Sequence, residues 1–282
     1  MLLKELINKG VETISVLYPE REAREMVMLY LEDAHAVKRL AHILEPSLEV
    51  SDYVAAESLA AFDRMVSGEP LQYIIGKAHF YGYDFNVTPD VLIPRQETEL
   101  LCKMAIEEAG RKLRMRKAFG KSAEPVRILD MCTGSGCIGL SVLKTLIEEK
   151  LIPQNRIPKF VLVDISSKAL EIAIKNYENL IPKEYSQRVQ FVQSNLFSNV
   201  TGTFDVILTN PPYIPATLVT DLLKDGRNEP TLALNGDITE TGDASNSDDG
   251  LEIIRRLVPQ AFEKLIYNGI LLMETGEYNA ED

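Results

Sequence analysis

Asn210-Pro211-Pro212-Tyr213 combines residue types able to grip a planar group that carries an NH2. The Asn side-chain oxygen accepts one hydrogen of such a group, and a carbonyl of the rigid Pro211-Pro212 segment accepts the other. Neither proline has an N–H, so the corner offers acceptors and few competing donors. Tyr213 can lie against the flat face of the held group, where an aromatic ring packs well. Residues 204–209 (Phe-Asp-Val-Ile-Leu-Thr) precede the tetrapeptide and read as a buried strand, which puts the acceptors at a strand end. A Pro-Pro turn that only closes a strand uses the same residues, and the earlier parts of the chain decide between the two.

From residue 126 the pattern becomes strand, glycine turn, helix, strand. Residues 126–131 form an apolar strand running into Cys132-Thr133-Gly134-Ser135-Gly136, and Ile138, Leu140, Val142, Leu143, Leu146 and Ile147 then recur as in a helix. Glycines at such a turn let backbone N–H groups approach a ligand closely. The next strand, 160–163, ends at Asp164, whose carboxylate can accept hydrogen bonds from both hydroxyls of a ribose. This spacing suits a dinucleotide and an adenosyl cofactor equally well. Gly134, Gly136 and Gly139 complete a Gly-x-Gly-x-x-Gly register, but Asp130 stands before them. A carboxylate there suits a cofactor with an amino-acid tail, whose ammonium needs an acceptor. After a strand at 188–192, Asn195 can meet the exocyclic amine of an adenine and Leu196 can pack on its ring. Asp130, Asp164, Asn195 and Asn210 all fall at the C-terminal ends of strands, which argues for one shared site.

The elements that must position these residues follow from periodicity. Strands alternating with helices predict an α/β fold, a doubly wound, mostly parallel sheet with its site at the strand C-termini. Residues 1–68 read as a small helical bundle. Its first helix ends at Pro19, a second starts at about Glu20, and a third starts near Asp52, with Ser51 or Asp52 as N-cap, and closes at Gly68. Glu69 to Gly76 mark a boundary and residues 79–87 alternate around Gly82, so 69–90 read as a hairpin linker, with His79 structural. Residues 91–282 form the remaining domain, entered through Leu92-Ile93-Pro94-Arg95-Gln96-Glu97-Thr98-Glu99 and a helix to about 117, where the acidic residues suit a solvated helix start. Late in the chain, 235–249 is polar, acidic and aperiodic, and reads as a mobile surface insertion. A helix over about 251–267 and a strand at 270–274 follow.

Of 282 residues, 45% are hydrophobic and 26% charged, an ordinary composition for a soluble globular protein, and the length suffices for two domains. No apolar run approaches the roughly 20 residues of a membrane span, and the start lacks a signal-peptide pattern. Three cysteines, Cys102, Cys132 and Cys137, fit neither a disulfide framework nor a metal site, so reduced thiols in the cytoplasm and no metal are expected. A net charge of −12 argues against a broad phosphate-binding face, and no direct nucleic-acid contact is expected.

With these segments in view, the chain resembles the class I S-adenosylmethionine methyltransferases that act on amino groups. More narrowly it is similar to the bacterial peptide chain release factor N5-glutamine methyltransferases, the PrmC/HemK family. The resemblance is carried by Glu69 to Gly76, Leu92 to Glu99, Asp130 to Gly136, Asn210 to Ile214, and Arg227 to Leu234. Asn-Pro-Pro-Tyr alone is shared with enzymes that methylate adenine and guanine amines; joined to the other segments it is specific. The resemblance implies that Cys132, Thr133, Gly134, Ser135 and Gly136 wrap the methionine part of S-adenosylmethionine. Asp164 would then hold the ribose, and Asn195 and Leu196 would border the adenine. Asn210 and the Pro211 carbonyl would bind a glutamine amide, with Pro212 and Tyr213 bounding its pocket. The implied partner is the Gly-Gly-Gln loop of release factors, with S-adenosylhomocysteine as product, and a monomer is expected. Cys132 stands where many members have Gly, and Asn195 where many have Asp. The fold usually continues past the last strand, so either a shortened chain or an early end of the sheet is expected. Rival readings are a glutamine methyltransferase of a large-subunit ribosomal protein, favoured by Asp130 to Cys137, a nucleic-acid amino-methyltransferase, and a non-catalytic cofactor-binding protein.

Overall fold

The computed structural model describes residues 1–118, 125–150, 152–224 and 228–276. The chain divides into two compact units, Met1–Lys77 with Leu222–Asn228, and Ala78–Asp221 with Glu229–Asp282.

The first unit holds α1 (Leu3–Ile14), α2 (Glu20–His35), α3 (Ala41–Leu44), α4 (Asp52–Val66) and α5 (Leu71–Ile75). Its core joins Leu6, Ile7 and Ile14 of α1 to Val27 and Leu31 of α2 and Phe62 and Met65 of α4. These are residues that helical spacing puts on one face of each helix. Ser51 caps α4, its Oγ accepting from the Val54 N–H at 3.2 Å. The helix α5 falls where the sequence reads as hairpin. Pro70 at its start and Gly76 at its end, the latter at φ 77°, bracket it. Proline before and glycine after is the usual asymmetry of helix ends, and here it outweighs the local β-like composition.

In the second unit a two-stranded hairpin, β1 (Lys77–Phe80) and β2 (Tyr83–Asn86), turns through Tyr81 and Gly82. There follow α6 (Glu99–Ala118), β3 (Arg127–Met131), α7 (Cys137–Glu148), β4 (Lys159–Asp164), α8 (Ser167–Leu180), β5 (Val189–Gln193) and β6 (Phe204–Thr209). After these come α9 (Ala216–Lys224), whose residues from Leu222 on belong to the first unit, α10 (Thr231–Leu234), α11 (Glu252–Lys264) and β7 (Leu265–Met273). The sheet is the doubly wound, parallel α/β arrangement read from the alternation, with strand order β5-β4-β3-β6-β7. Side chains alternate between two cores: Ile128, Leu162, Val206 and Leu208 pack with α6 and α7, and Leu129, Val163 and Ile207 pack with α11. Burial on both faces is why these strands are apolar runs and not alternating ones. Asp205 sits inside such a run, 2% exposed. Arg116 grips both its oxygens at 2.7 Å, and the Arg127 N–H donates at 2.8 Å, so the charge is buried with partners.

Two further expectations change. The last helix ends at Lys264, and residues 265–267 enter β7 instead; pairing then shifts between Phe204↔Leu265 and Val206↔Ile270, with Asn268 at φ 60°. Burial beside β6 decides what short apolar runs leave open. The stretch 235–249 is not a free surface insertion. Asp237 is wholly buried, its Oδ1 accepting from the Gly250 N–H at 2.9 Å and its Oδ2 from the Ala216 N–H at 3.1 Å. Ile238 pairs with Ala244, so the acidic composition hides a residue that ties the loop inward. The expected early end of the sheet and Arg227 lie outside the described residues. Among the described residues no helix is long and apolar enough to cross a membrane.

Candidate active site

The glycine turn is built on Asp130. This carboxylate, at the end of β3, is fully buried. Its Oδ2 accepts from the Thr133 hydroxyl at 2.7 Å and from the Gly139 N–H at 2.9 Å. A Cβ at residue 139 would stand 2.9 Å from that oxygen, so glycine is what lets α7 begin there. Burial pushes the Asp130 carboxyl up to about 6, opposed by the bonds from Thr133 and Gly139. Its Oδ1 has no hydrogen-bond partner among the described residues. Cys132 follows in the left-handed region at φ 58°, as do Gly134 at 54° and Gly136 at 80°. A side chain at 132 therefore adopts a backbone that glycine takes without penalty. Burial pushes the Cys132 and Cys137 thiols up, the latter to about 12, so neither is a thiolate nucleophile.

Asp164, at the end of the neighbouring β4, accepts from the Gly134 N–H at 2.9 Å through Oδ2 and from the Ser166 N–H at 3.0 Å through Oδ1. Burial raises its carboxyl, and the N–H groups of Ser166, Gly134 and Ile165 oppose that. Each oxygen keeps a second lone pair for a ligand. Beyond β5, Leu196 is at φ 45°, and Asn195 donates through Nδ2 to the Glu240 carbonyl at 3.0 Å. The end of β5 and the 238–242 loop thus meet.

Asn210 stands at the end of β6, on the other side of β3. Its Nδ2 donates to Thr98 Oγ1 at 3.2 Å and to Glu274 Oε1 at 3.0 Å. The Tyr213 hydroxyl donates to the same Glu274 oxygen at 3.2 Å. Thr98 is 2% exposed and belongs to a short 3-10 turn, 96–98. The extended segment leading into that turn is fixed by Glu229: its carboxylate pairs with Arg95 and accepts from the Ile93 N–H at 3.1 Å. Tyr213 is held from behind by Gly250, where a Cβ would come within 2.1 Å of the Tyr213 carbonyl oxygen.

These ends surround one cavity of about 460 Å³, within the ~300–1,000 Å³ of small-ligand sites. Cys132, Thr133, Gly134, Ser135, Asp164, Asn195, Leu196, Asn210 and Pro212 line it. Asp130, Pro211 and Tyr213 are not among the lining residues: Asp130 is bonded under the turn to Thr133 and Gly139, and Pro211 and Tyr213 flank the lining Pro212. Gly136 is likewise outside the lining and begins α7. Thr98, Arg95 and residues 238–242 also line the cavity and are not singled out by sequence reasoning. Thr98 and Arg95 sit in the quoted Pro-Arg-Gln-Glu-Thr-Glu segment, and Glu229 in Asn-Glu-Pro-Thr. Glu274 carried one signal, a carboxylate closing the apolar run 270–273. An S-adenosyl group fits this donor set: the position over Gly134 is open, with nothing within 4 Å of a built Cβ. Asp164 adds a carboxylate with spare acceptor capacity. No group of three or more metal-ligating side chains occurs among the described residues.

The sequence profile described as PrmC N-terminal domain matches residues 5–76, and that described as Methyltransferase small domain matches 111–227. A release factor glutamine methyltransferase of Haemophilus influenzae is 30% identical, covering 100% of this chain and 89% of the relative. One from Moorella thermoacetica is 32% identical, covering 98% and 86%. One from Koribacter versatilis is 36% identical, covering 79% and 70%. On these matches, which run through both units, the chain belongs to the release factor glutamine methyltransferase family.

Proposed function

We propose that this protein transfers a methyl group from S-adenosylmethionine to the side-chain amide nitrogen of the glutamine in the Gly-Gly-Gln loop of peptide chain release factors, releasing S-adenosylhomocysteine. The observation that supports this most is the tethering of Asn210: with its NH2 committed to Thr98 and Glu274, its Oδ1 remains as an acceptor beside the cavity.

When bound, S-adenosylmethionine supplies an electrophilic methyl on a sulfonium. The residues of the chain do the rest. Ser135, Gly134 and Thr133 wrap the methionine part, Asp164 takes the ribose hydroxyls, and Asn195 and Leu196 border the adenine. Asp130 serves by holding the turn. An amide nitrogen is a poor nucleophile because its lone pair is delocalised into the carbonyl. Asn210 Oδ1 and the Pro211 carbonyl each accept one N–H hydrogen, which leans electron density back onto nitrogen and fixes its direction. Such alignment supplies several kcal/mol of a barrier, and acceptors facing the positive charge that develops on nitrogen add to it. Pro212 and Tyr213 bound the amide pocket. As the N–C bond forms and the S–C bond breaks, nitrogen gives up one of its two hydrogens as a proton to solvent water, since neither carbonyl acceptor is a base.

The domains are read as a helical bundle over 1–68, a linker over 69–90 that contains α5, and the methyltransferase domain over 91–282. The protein acts as a monomer in the cytoplasm, without direct nucleic-acid contact, which the net charge of −12 supports. Labelled S-adenosylmethionine offered with release factor, with large-subunit ribosomal protein and with RNA tests the reading. Label is expected in release factor and is expected to vanish when its loop Gln is changed. Label in ribosomal protein or RNA instead would transfer the assignment to those substrates.

A further inference from the structure

Asn210 can hold an amide NH2 only if its oxygen, and not its own NH2, faces the substrate. The two ends of a carboxamide are nearly equal in shape, so the partners decide which way it points. Thr98 Oγ1, at 3.2 Å, decides nothing, because a hydroxyl donates or accepts. A carboxylate only accepts. Glu274 Oε1 stands 3.0 Å from Asn210 Nδ2, so the NH2 must face Glu274 and the oxygen must face away from it.

We infer that Glu274 is the positioning residue that sets the polarity of Asn210 for catalysis. The inference rests on the proposed function. Its Oε1 also accepts the Tyr213 hydroxyl at 3.2 Å, so one atom orients both polar side chains of the tetrapeptide. The carboxylate is placed by backbone: Met273 pairs with Thr209, and the Glu274 N–H donates to the Thr209 carbonyl at 3.0 Å. Residue 274 is thereby carried beside residue 210 whatever its side chain. Glu274 Oε2 is buried and finds no partner among the described residues, so the bonds to Asn210 and Tyr213 are what the carboxylate gains there. A residue serving only to join β6 to β7 needs no carboxylate, since the ladder already joins them.

The test compares Glu274→Leu, Glu274→Gln, Asn210→Ala and the Asn210→Ala/Glu274→Leu pair with the parent protein. Glu274→Leu is expected to lower kcat on release factor by about 10²-fold, the scale of a misplaced reacting group, with the Kd for S-adenosylmethionine unchanged. Glu274→Gln keeps an acceptor oxygen there and is expected to lose less. In the double variant kcat is expected to equal that of Asn210→Ala, because Glu274 works through Asn210. Full activity in Glu274→Leu, or losses that multiply in the double variant, would overturn the inference. A second readout needs no turnover: the NH2 protons of Asn210, identified in asparagine-labelled protein by their loss in Asn210→Ala. They are expected to exchange slowly with solvent in the parent and fast in Glu274→Leu. If the parent leaves release factor unmethylated, the functional reading falls while the exchange result still judges Glu274, and equal exchange in the two proteins sinks it.

Discussion

Replacing Asn210 by Ala removes the acceptor oxygen and leaves the Gly134 turn untouched. The expected outcome is a fall in kcat of about 10²-fold or more, the usual cost of one preorganised polar group at a reacting centre. Cofactor affinity, read by calorimetry, should hardly move; equal losses in both would put Asn210 on the cofactor. Asp164→Ala should show the reverse split. It removes an acceptor proposed to take two ribose hydroxyls and strands the N–H groups of Gly134 and Ser166. A weakening of cofactor binding by about 10²-fold is expected, at 1.5–3 kcal/mol or so for each hydrogen bond to a charged group. Asp130 makes a pH prediction. Its carboxyl is pushed up to about 6 in the folded chain from an ordinary 3.8. The folded state therefore binds the proton more tightly, and the stability this confers is complete below about pH 4 and lost as pH rises through 6. Denaturant melts of the parent and of Asp130→Asn should differ by an amount that falls over that window and levels above it. The change is on the order of 3 kcal/mol at most.

At the scale of elements, the loop that follows α10 works as a brace. Asp237 collects the N–H groups of Ala216 and Gly250, and Gly250 backs onto the Tyr213 carbonyl. Asp237→Ala should cost about 2 kcal/mol or more through unsatisfied donors, with faster amide exchange over 235–250. No change in that exchange would mean the brace is idle. The strand ends bearing Asp130, Asp164, Asn195 and Asn210 were legible in the sequence because buried parallel strands are apolar runs with an abrupt polar end. So was the helix stop at Gly68, whereas the first helix ends at Ile14, short of Pro19, which stands instead as the N-cap of α2. Glu274, Thr98 and Glu229 were not legible as site residues, since each acquires its part from a residue far along the chain: Thr98 and Glu274 meet only at Asn210. Asp237 was misread for a related reason. An Asp among Thr, Glu and Ser looks solvated until the backbone it ties down is known. The helix α5 carried its signal, Pro70 and Gly76, but was absorbed into the linker of the hairpin that follows it.

On the scale of the whole molecule, the cavity belongs entirely to the second unit, Ala78–Asp221 with Glu229–Asp282. A ligand that binds only the folded form stabilises it by about 2.7 kcal/mol at a hundred times its Kd. S-adenosylhomocysteine should therefore raise the unfolding midpoint, with added amide protection concentrated at the C-terminal ends of β3, β4 and β6. Protection spread evenly through α1, α2 and α4 would speak against that placement of the cofactor. Met131 pairs with Val163 on one side and Thr209 on the other, so residues 132, 164 and 210 leave three adjacent strands nearly level. Adjacent strands lie about 4.8 Å apart, and one residue of slip shifts a strand by about 3.3 Å and reverses its faces. The ladder is thus a gauge that keeps the glycine turn and the Asn210 corner at a fixed separation. Substitutions at the far end of β6, though remote from any ligand, would register first as slower turnover and only later as unfolding.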